Sequence, residues 1–257
     1  MKYIYLNSSG LAKLTGHNKY EPLEKVVNEI LSKNGIQERY VPKSNVEGSI
    51  HGLSEEKLSG LKVELGLPKD ATTAFIEAAI KALVMKDAYS ASLSESESKA
   101  KVDDKLTGKP ILQSIEVGIK QDLRMRRGNI KENANLNTIQ KKIGKAVTHR
   151  NSRMYSKELY RSDKYVLVVR GKIDGITDEV IIESKNRTRC LFKELRGYEQ
   201  VQLEAYMFLT GFENALLTEH YNEESCEIPY VHDEEFWSSC IDSIVTFIET
   251  HIAEFIK

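Results

Sequence analysis

The sequence predicts an α/β fold, a mixed central sheet flanked by helices and carrying a helical insertion. Three observations lead there. Two short, β-branched and apolar runs, Tyr165–Arg170 and Val180–Lys185, stand either side of a turn-like Thr177-Asp178-Glu179. Apolar residues at helical spacing follow them, at Leu195, Tyr198, Val201, Leu203, Tyr206 and Leu209. A chain of 257 residues, 40% hydrophobic and 29% charged, has the size and mix of one globular core with room for an insertion.

The elements follow in order. Tyr3–Leu6 is a short apolar strand, and Asn7-Ser8-Ser9-Gly10 after it is a turn or cap signal, with Ser9 the simplest helix N-cap. Leu11, Leu14, Val26, Val27 and Ile30 have helical spacing around a break at Gly16-His17-Asn18. Residues 44–110 read as the insertion. Asp70 is expected to cap a helix through Phe75, Ile76, Ala79, Ile80 and Leu83, and the Ser/Glu-rich stretch at about 88–104 is expected to be a mobile loop. Residues 111–160 read as helical and basic. The two strands come next, as an adjacent hairpin, then the helix through Leu209. Residues 218–257 read as an acidic helical tail, amphipathic from Phe236 onward, with Tyr198, Tyr206 and Trp237 as packing residues.

Composition excludes several classes. No apolar run reaches the roughly 18–20 residues that span a bilayer, and the amino-terminal apolar stretch is short for a secretory signal. Cys190, Cys226 and Cys240 give no even disulfide framework and no Cys-x-x-Cys. The six histidines show no metal-ligand spacing. A soluble, intracellular protein with no membrane partner is expected. The net charge of −1 conceals a polarised chain. Ten Lys/Arg between Gly118 and Arg153 face only Asp122 and Glu132, whereas ten Asp/Glu from Thr218 to the end face only Lys257. The basic stretch is either a polyanion-binding face or a solvated helix with counter-charges elsewhere in the fold.

The sharpest local signal is Gly171-Lys172-Ile173-Asp174-Gly175 followed by Ile181-Ile182-Glu183-Ser184-Lys185. Strand side chains alternate between faces, so Glu183 and Lys185 share one face, and hairpin pairing brings Asp174 beside them. Two carboxylates converging with an ammonium suit a hard divalent cation that takes oxygen ligands, with lysine acting on water and phosphate charge. The plainer reading is a cross-strand ion pair on a solvated face. The apolar flanks of Glu183 argue against it, because they place the carboxylate in a buried strand.

These residues resemble the PD-(D/E)xK nucleases, and within them the lambda-exonuclease/YqaJ-like group. Ser9-Gly10-Leu11-Ala12-Lys13-Leu14-Thr15-Gly16 resembles that group's amino-terminal segment. Arg127-Gly128-x-x-x-Glu132-Asn133 resembles its second motif, and Glu199-Gln200-Val201-Gln202 with Tyr206 its helix after the catalytic strands. The resemblance covers the first 40 or so residues and roughly 118–210. It implies a restriction-endonuclease-like fold over one nuclease domain and a Mg²⁺-dependent DNA nuclease, with Mn²⁺ expected to substitute. The implied enzyme is a lambda-type 5′-to-3′ exonuclease. Asp174, Glu183, the Ser184 carbonyl and Glu132 would hold the metal, Lys185 would act on the attacking water, and Gln200 would position lysine and phosphate. Ser9, Arg124, Arg126, Arg127, Lys131, Lys141, Lys142 and Arg150 would meet DNA phosphates, which fix register without reading sequence. The resemblance further implies recombination, repair or replication in a phage or virus, acting in the cytoplasm, host nucleus or viral replication site. A single-strand annealing partner and a homo-oligomer are also implied. Two alternatives are a structure-specific or restriction-type endonuclease of the same fold and a nuclease-fold DNA-binding or scaffold protein.

Overall fold

A computed structural model describes residues 1–38, 40–90 and 92–256. The chain divides into two compact units, Met1–Val41 with Ala134–Lys257, and Pro42–Asn133. The second unit spans the expected 44–110 insertion and continues to Asn133.

The first unit opens with β1 (Lys2–Asn7), a 3-10 turn over Ser8–Gly10, α1 (Leu11–Leu14) and α2 (Leu23–Lys33). The second contains α3 (Asn45–His51), α4 (Glu55–Glu64), α5 (Thr73–Ile80), α6 (Glu95–Leu106), α7 (Pro110–Ser114) and the start of α8 (Glu116–Ile143), which ends in the first unit. The chain continues through β2 (Met154–Arg161), β3 (Tyr165–Lys172), β4 (Gly175–Thr177), β5 (Val180–Asn186), α9 (Gly197–Thr210), β6 (Asn214–Tyr221), β7 (Glu224–Val231) and α10 (Glu234–His251). The mixed α/β class stands, but in two sheets, ordered β1-β3-β2 and β4-β5-β6-β7.

That arrangement corrects the expected β3–β5 hairpin. β3 pairs parallel with β1 and antiparallel with β2. β5 pairs antiparallel with the short β4 and parallel with β6. The tight turn is Asp178-Glu179, both at positive φ, which is the backbone a two-residue hairpin needs. Between Lys172 and Gly175 the chain leaves one sheet and enters the other, and Asp174 sits at that crossing. At the open edge of β1, the Asn34 amide accepts from Tyr5 N at 2.7 Å and donates to Tyr5 O at 3.2 Å, which closes that position to another strand.

Four other expectations change. Residues 154–161 form a strand rather than continuing the helix, and residues 214–231 form a hairpin, so the acidic tail is helical only from Glu234. Ser9 caps nothing: the cap positions are Asn7 and Gly10, neither with a side-chain bond. The Ser/Glu-rich stretch is largely α6, closed by a capping box in which Ser94 and Glu97 bond reciprocally. Ala91, within the expected loop, lies outside the described residues.

The core of the first unit packs Ile4, Leu6 and Leu11 with Leu167, Val169, Ile181, Val201, Leu203, Trp237 and Ile244. The second unit has its own core, including Ile50, Leu61, Ile76, Ile80, Val102, Leu106 and Ile119. There Asp122 accepts from Asn45 N and Val46 N and so anchors the start of α3, while Thr72, not Asp70, caps α5. No helix among the described residues is long and apolar enough to cross a membrane.

Candidate active site at the crossing between two sheets

Both faces of β5 are buried, and the alternation assigns each side chain its neighbour. Ile182 joins a small core with Leu136 and Ile139 of α8, and on that face Asn135 Nδ2 reaches Ser184 Oγ at 3.3 Å and Asn186 Oδ1 at 2.9 Å. Ile181 lies in the main core, and Glu183, Lys185 and Arg187 follow it toward α9. Because Gly175 is paired with Ile182, Asp174 comes opposite Glu183, and Asp174 Oδ2 accepts from Ser184 N at 2.9 Å.

Glu183 is 3% exposed. Its Oε1 accepts from Lys185 Nζ at 2.5 Å and from Gln202 Nε2 at 3.0 Å. Gln202 Oε1 accepts from Lys185 Nζ at 3.0 Å, and Gln202 Nε2 also donates to Tyr206 OH at 2.7 Å. Burial alone would push the Lys185 ammonium down, but the carboxylates of Glu183, Asp174 and Glu199 outweigh it and hold its pKa above the ordinary lysine value. Tyr206 is the reverse case. Burial first, then Glu183 and Asp174, raise its phenol well above the usual range, so it is a neutral hydrogen-bonding group. The Ser8 hydroxyl also bonds to Tyr206. Gly171 makes room for it, since a Cβ there would fall 2.3 Å from Ser8 Oγ.

Glu183 Oε2 is buried without a hydrogen-bond partner among the described residues. Two converging carboxylates, one with an unsatisfied buried oxygen, are the donor set a hard divalent cation takes. Among the described residues no group of three or more His, Cys, Asp or Glu is placed to hold a metal. A cation here would therefore draw its remaining ligands from carbonyl and water oxygens, as Mg²⁺ does.

Just past the end of β5, Arg187 joins α9 to β6. Its Nη1 lies 2.7 Å from Glu199 Oε1, and its Nε donates to Glu219 Oε1 at 2.6 Å. Both carboxylates are almost wholly buried.

The structure thus brings together Asp174, Glu183, Ser184 and Lys185, and corrects the glutamine. Gln200 faces away and donates to Tyr230 OH at 3.0 Å; the residue at the lysine is Gln202. Helical geometry held the signal. Gln202 shares a face with Tyr206 four residues on and with Glu199 three residues back. Arg187 and Ser8 were the other omissions.

The expected phosphate contacts scatter. Arg127 is buried in the second unit, 4% exposed, where it donates to Leu93 O at 2.7 Å, to Ala88 O and Ser90 O, and to the Ser98 hydroxyl. Its donors are taken up by Ala88, Ser90, Leu93 and Ser98. Arg126 stacks on the Tyr89 ring at 4.1 Å, and Arg124 lies 3.8 Å from Glu95. Lys131 and Glu132 are half-buried in that unit, and burial with the nearby Arg127 charge lowers the Lys131 pKa. In the first unit Lys142 pairs with Glu227 at 2.7 Å, and Arg150 bonds Val147 O, Asn137 and Gln140. Lys141 is exposed. Ser9 is exposed too, and lines a cavity of about 330 Å³ with Tyr5, Lys13, Lys33, Asn34 and Arg170.

No family model matches the sequence, and no curated protein matches it. Among solved structures the chain is similar to LHK-Exo in complex with dAMP, at 11% identity and a TM-score of 0.41, covering 82% of this chain and 92% of that one. It is similar to the alkaline exonuclease LHK-Exo from Laribacter hongkongensis, at 13% identity and a TM-score of 0.42, covering 66% and 92%. SSO0001 is similar at 12% identity and a TM-score of 0.37, covering 66% and 86%.

Proposed function

We propose that this chain is a metal-dependent DNA nuclease, and that it acts as a 5′-to-3′ exonuclease on linear duplex ends. The supporting observation is that Glu183, with Asp174 opposite it and Lys185 on its Oε1, keeps a buried Oε2 that has no hydrogen-bond partner among the described residues. An unmet buried carboxylate oxygen costs enough that a cation is its natural partner. Asp174, Glu183 and the Ser184 carbonyl would hold Mg²⁺ or Mn²⁺, which when bound supplies Lewis-acid polarisation of a phosphoryl oxygen.

The chain's own residues do the rest. Lys185 would offer its amino group where negative charge grows on the scissile phosphate. Gln202 fixes that group by accepting from it, and is itself fixed by Tyr206 and Glu183. Tyr206 and Ser8 form the rigid backing of the site.

The test is digestion of end-labelled linear duplex and single strands, with and without a 5′-phosphate, in Mg²⁺ and then in EDTA, beside a covalently closed circle. Stepwise shortening of linear duplex in Mg²⁺, an intact circle and silence in EDTA are expected. Cutting of the circle would turn the assignment to an endonuclease. An inert protein in both Mg²⁺ and Mn²⁺ would end the nuclease proposal.

A further inference from the structure

We infer that the segment joining β5 to α9, residues 188–196, is a preformed phosphate-gripping loop that holds the nucleic-acid strand next to the bond being cut, with Arg189 and Lys193 as its contacts. This rests on the nuclease assignment for its ligand, but its construction stands apart from the catalytic groups.

The loop is anchored by charges buried for that purpose. Glu219, on β6, is fully buried, yet its Oε2 accepts from two loop amides, Phe192 N at 2.9 Å and Lys193 N at 2.8 Å. Its Oε1 accepts from Arg187, the residue at the root of the loop. Two guanidinium groups stack on the Phe192 ring, Arg187 at 4.2 Å and Arg196 at 4.5 Å from its centroid. A connection that merely crossed from strand to helix would need none of this.

Of the exposed charges on this scaffold, Glu194 is paired with Arg196 at 2.8 Å, which leaves a net positive display. Arg189 and Lys193 are exposed, and neither forms an ion pair with any described residue. The basic residues of α8 contrast with them, since most of those are paired or stacked within the protein. Lys193 also sits at φ 59°, in the left-handed region where glycine is the unstrained choice. Arg189 is four residues beyond Lys185, so their Cα atoms lie within about 14 Å of each other. That is roughly four nucleotide steps along a duplex axis. A guanidinium and an ammonium at that range meet backbone phosphates beside the site and fix register without reading bases.

The test is the double variant Arg189→Ala with Lys193→Gly. Glycine removes the charge and relaxes the backbone at φ 59°, so the protein is expected to melt no lower than wild type. Binding of a fluorescein-labelled DNA duplex is followed by anisotropy in EDTA across a salt series, and KM and kcat are measured in Mg²⁺. Each phosphate contact contributes about 0.7–0.9 to the slope of log K against log salt. The double variant should therefore be shallower by about 1.5, from two such contacts, with KM raised several-fold and kcat unchanged. Lys164→Ala, at the turn entering β3, should keep the wild-type slope. An unaltered slope and KM in the double variant would overturn the loop assignment. If the wild-type protein cleaves nothing, the nuclease assignment fails alone, and the binding slopes still decide for or against the loop.

Discussion

Gln202 and Glu183 are joined across the strand–helix interface by a 3.0 Å amide–carboxylate bond, and the same glutamine accepts from the ammonium that Glu183 pairs with. Glu183, Lys185 and Gln202 therefore form a closed ring of three groups in which each fixes the other two. Replacing Gln202 by Ala opens that ring without touching a candidate metal ligand. Activity is expected to fall by about two orders of magnitude. Gln200→Ala should leave kcat close to wild type, and single-turnover cleavage rates compare the two.

Metal binding is checked without turnover. A cation that meets Glu183 Oε2 stabilises only the folded chain. Mg²⁺ at about one hundred times its dissociation constant should add about 2.7 kcal/mol to folding stability. Melting in EDTA and in rising Mg²⁺ reads this directly. Asp174→Asn with Glu183→Gln should melt at the same temperature in both.

Arg187 neutralises two carboxylates, Glu199 and Glu219, that the fold buries. Arg187→Met leaves both without their cation, and a loss of about 3–5 kcal/mol is expected from chemical denaturation. Removing the carboxylates as well, with Glu199→Gln and Glu219→Gln, should recover much of that loss.

Arg127→Ala should behave as a stability variant and not as a DNA-binding variant. It removes the donor that holds Ala88 O, Ser90 O and Leu93 O, and a loss of about 3 kcal/mol is expected. Limited proteolysis should open within 88–98, while the salt slope of DNA binding stays at the wild-type value.

His232 gives the pH dependence. Its two ring nitrogens face Glu234 at 3.0 Å and Glu204 at 2.5 Å, and Tyr230 OH and Asp233 N also bond to Glu204. Burial pushes the imidazole down, but the two carboxylates outweigh it and raise its pKa above the usual histidine value. The charged pair therefore adds stability that is complete below the unfolded pKa of about 6.5, and that is lost as pH rises through the higher folded value. The stability gap between wild type and His232→Gln should be widest below that pH and close above it, as followed by urea titration.

How much was legible follows from which forces act locally. β1, β3 and β5 are runs of Ile, Leu, Val and Tyr, and period-2 alternation was enough to place Glu183 and Lys185 on one face. β2, with Ser156, Lys157, Glu158 and Arg161, is a solvated edge strand whose composition carries no strand signal. β6 is built on Ala215, Leu216 and Leu217, helix formers that become strand only because β5 and β7 flank them. Pro229 is tolerated because β7 is an edge. At the site, the Asp174–Glu183–Lys185 grouping could be read because pairing geometry is local. The choice between Gln200 and Gln202 needed the face of α9 that meets β5. Arg127 looked like its basic neighbours, and only the packing around Ser98 distinguishes it.

Asp174 lies where the backbone steps between two hydrogen-bonded layers, so its orientation depends on how many residues make that step. Deleting Ile173 would turn the carboxylate to the opposite side of the chain while leaving both layers their full set of ladder partners. The same deletion would remove a buried core side chain and the acceptor of Asn151 N, so packing and chemistry both depend on that step. A one-residue change of length in this short step should therefore cost more than the same change in a surface connection.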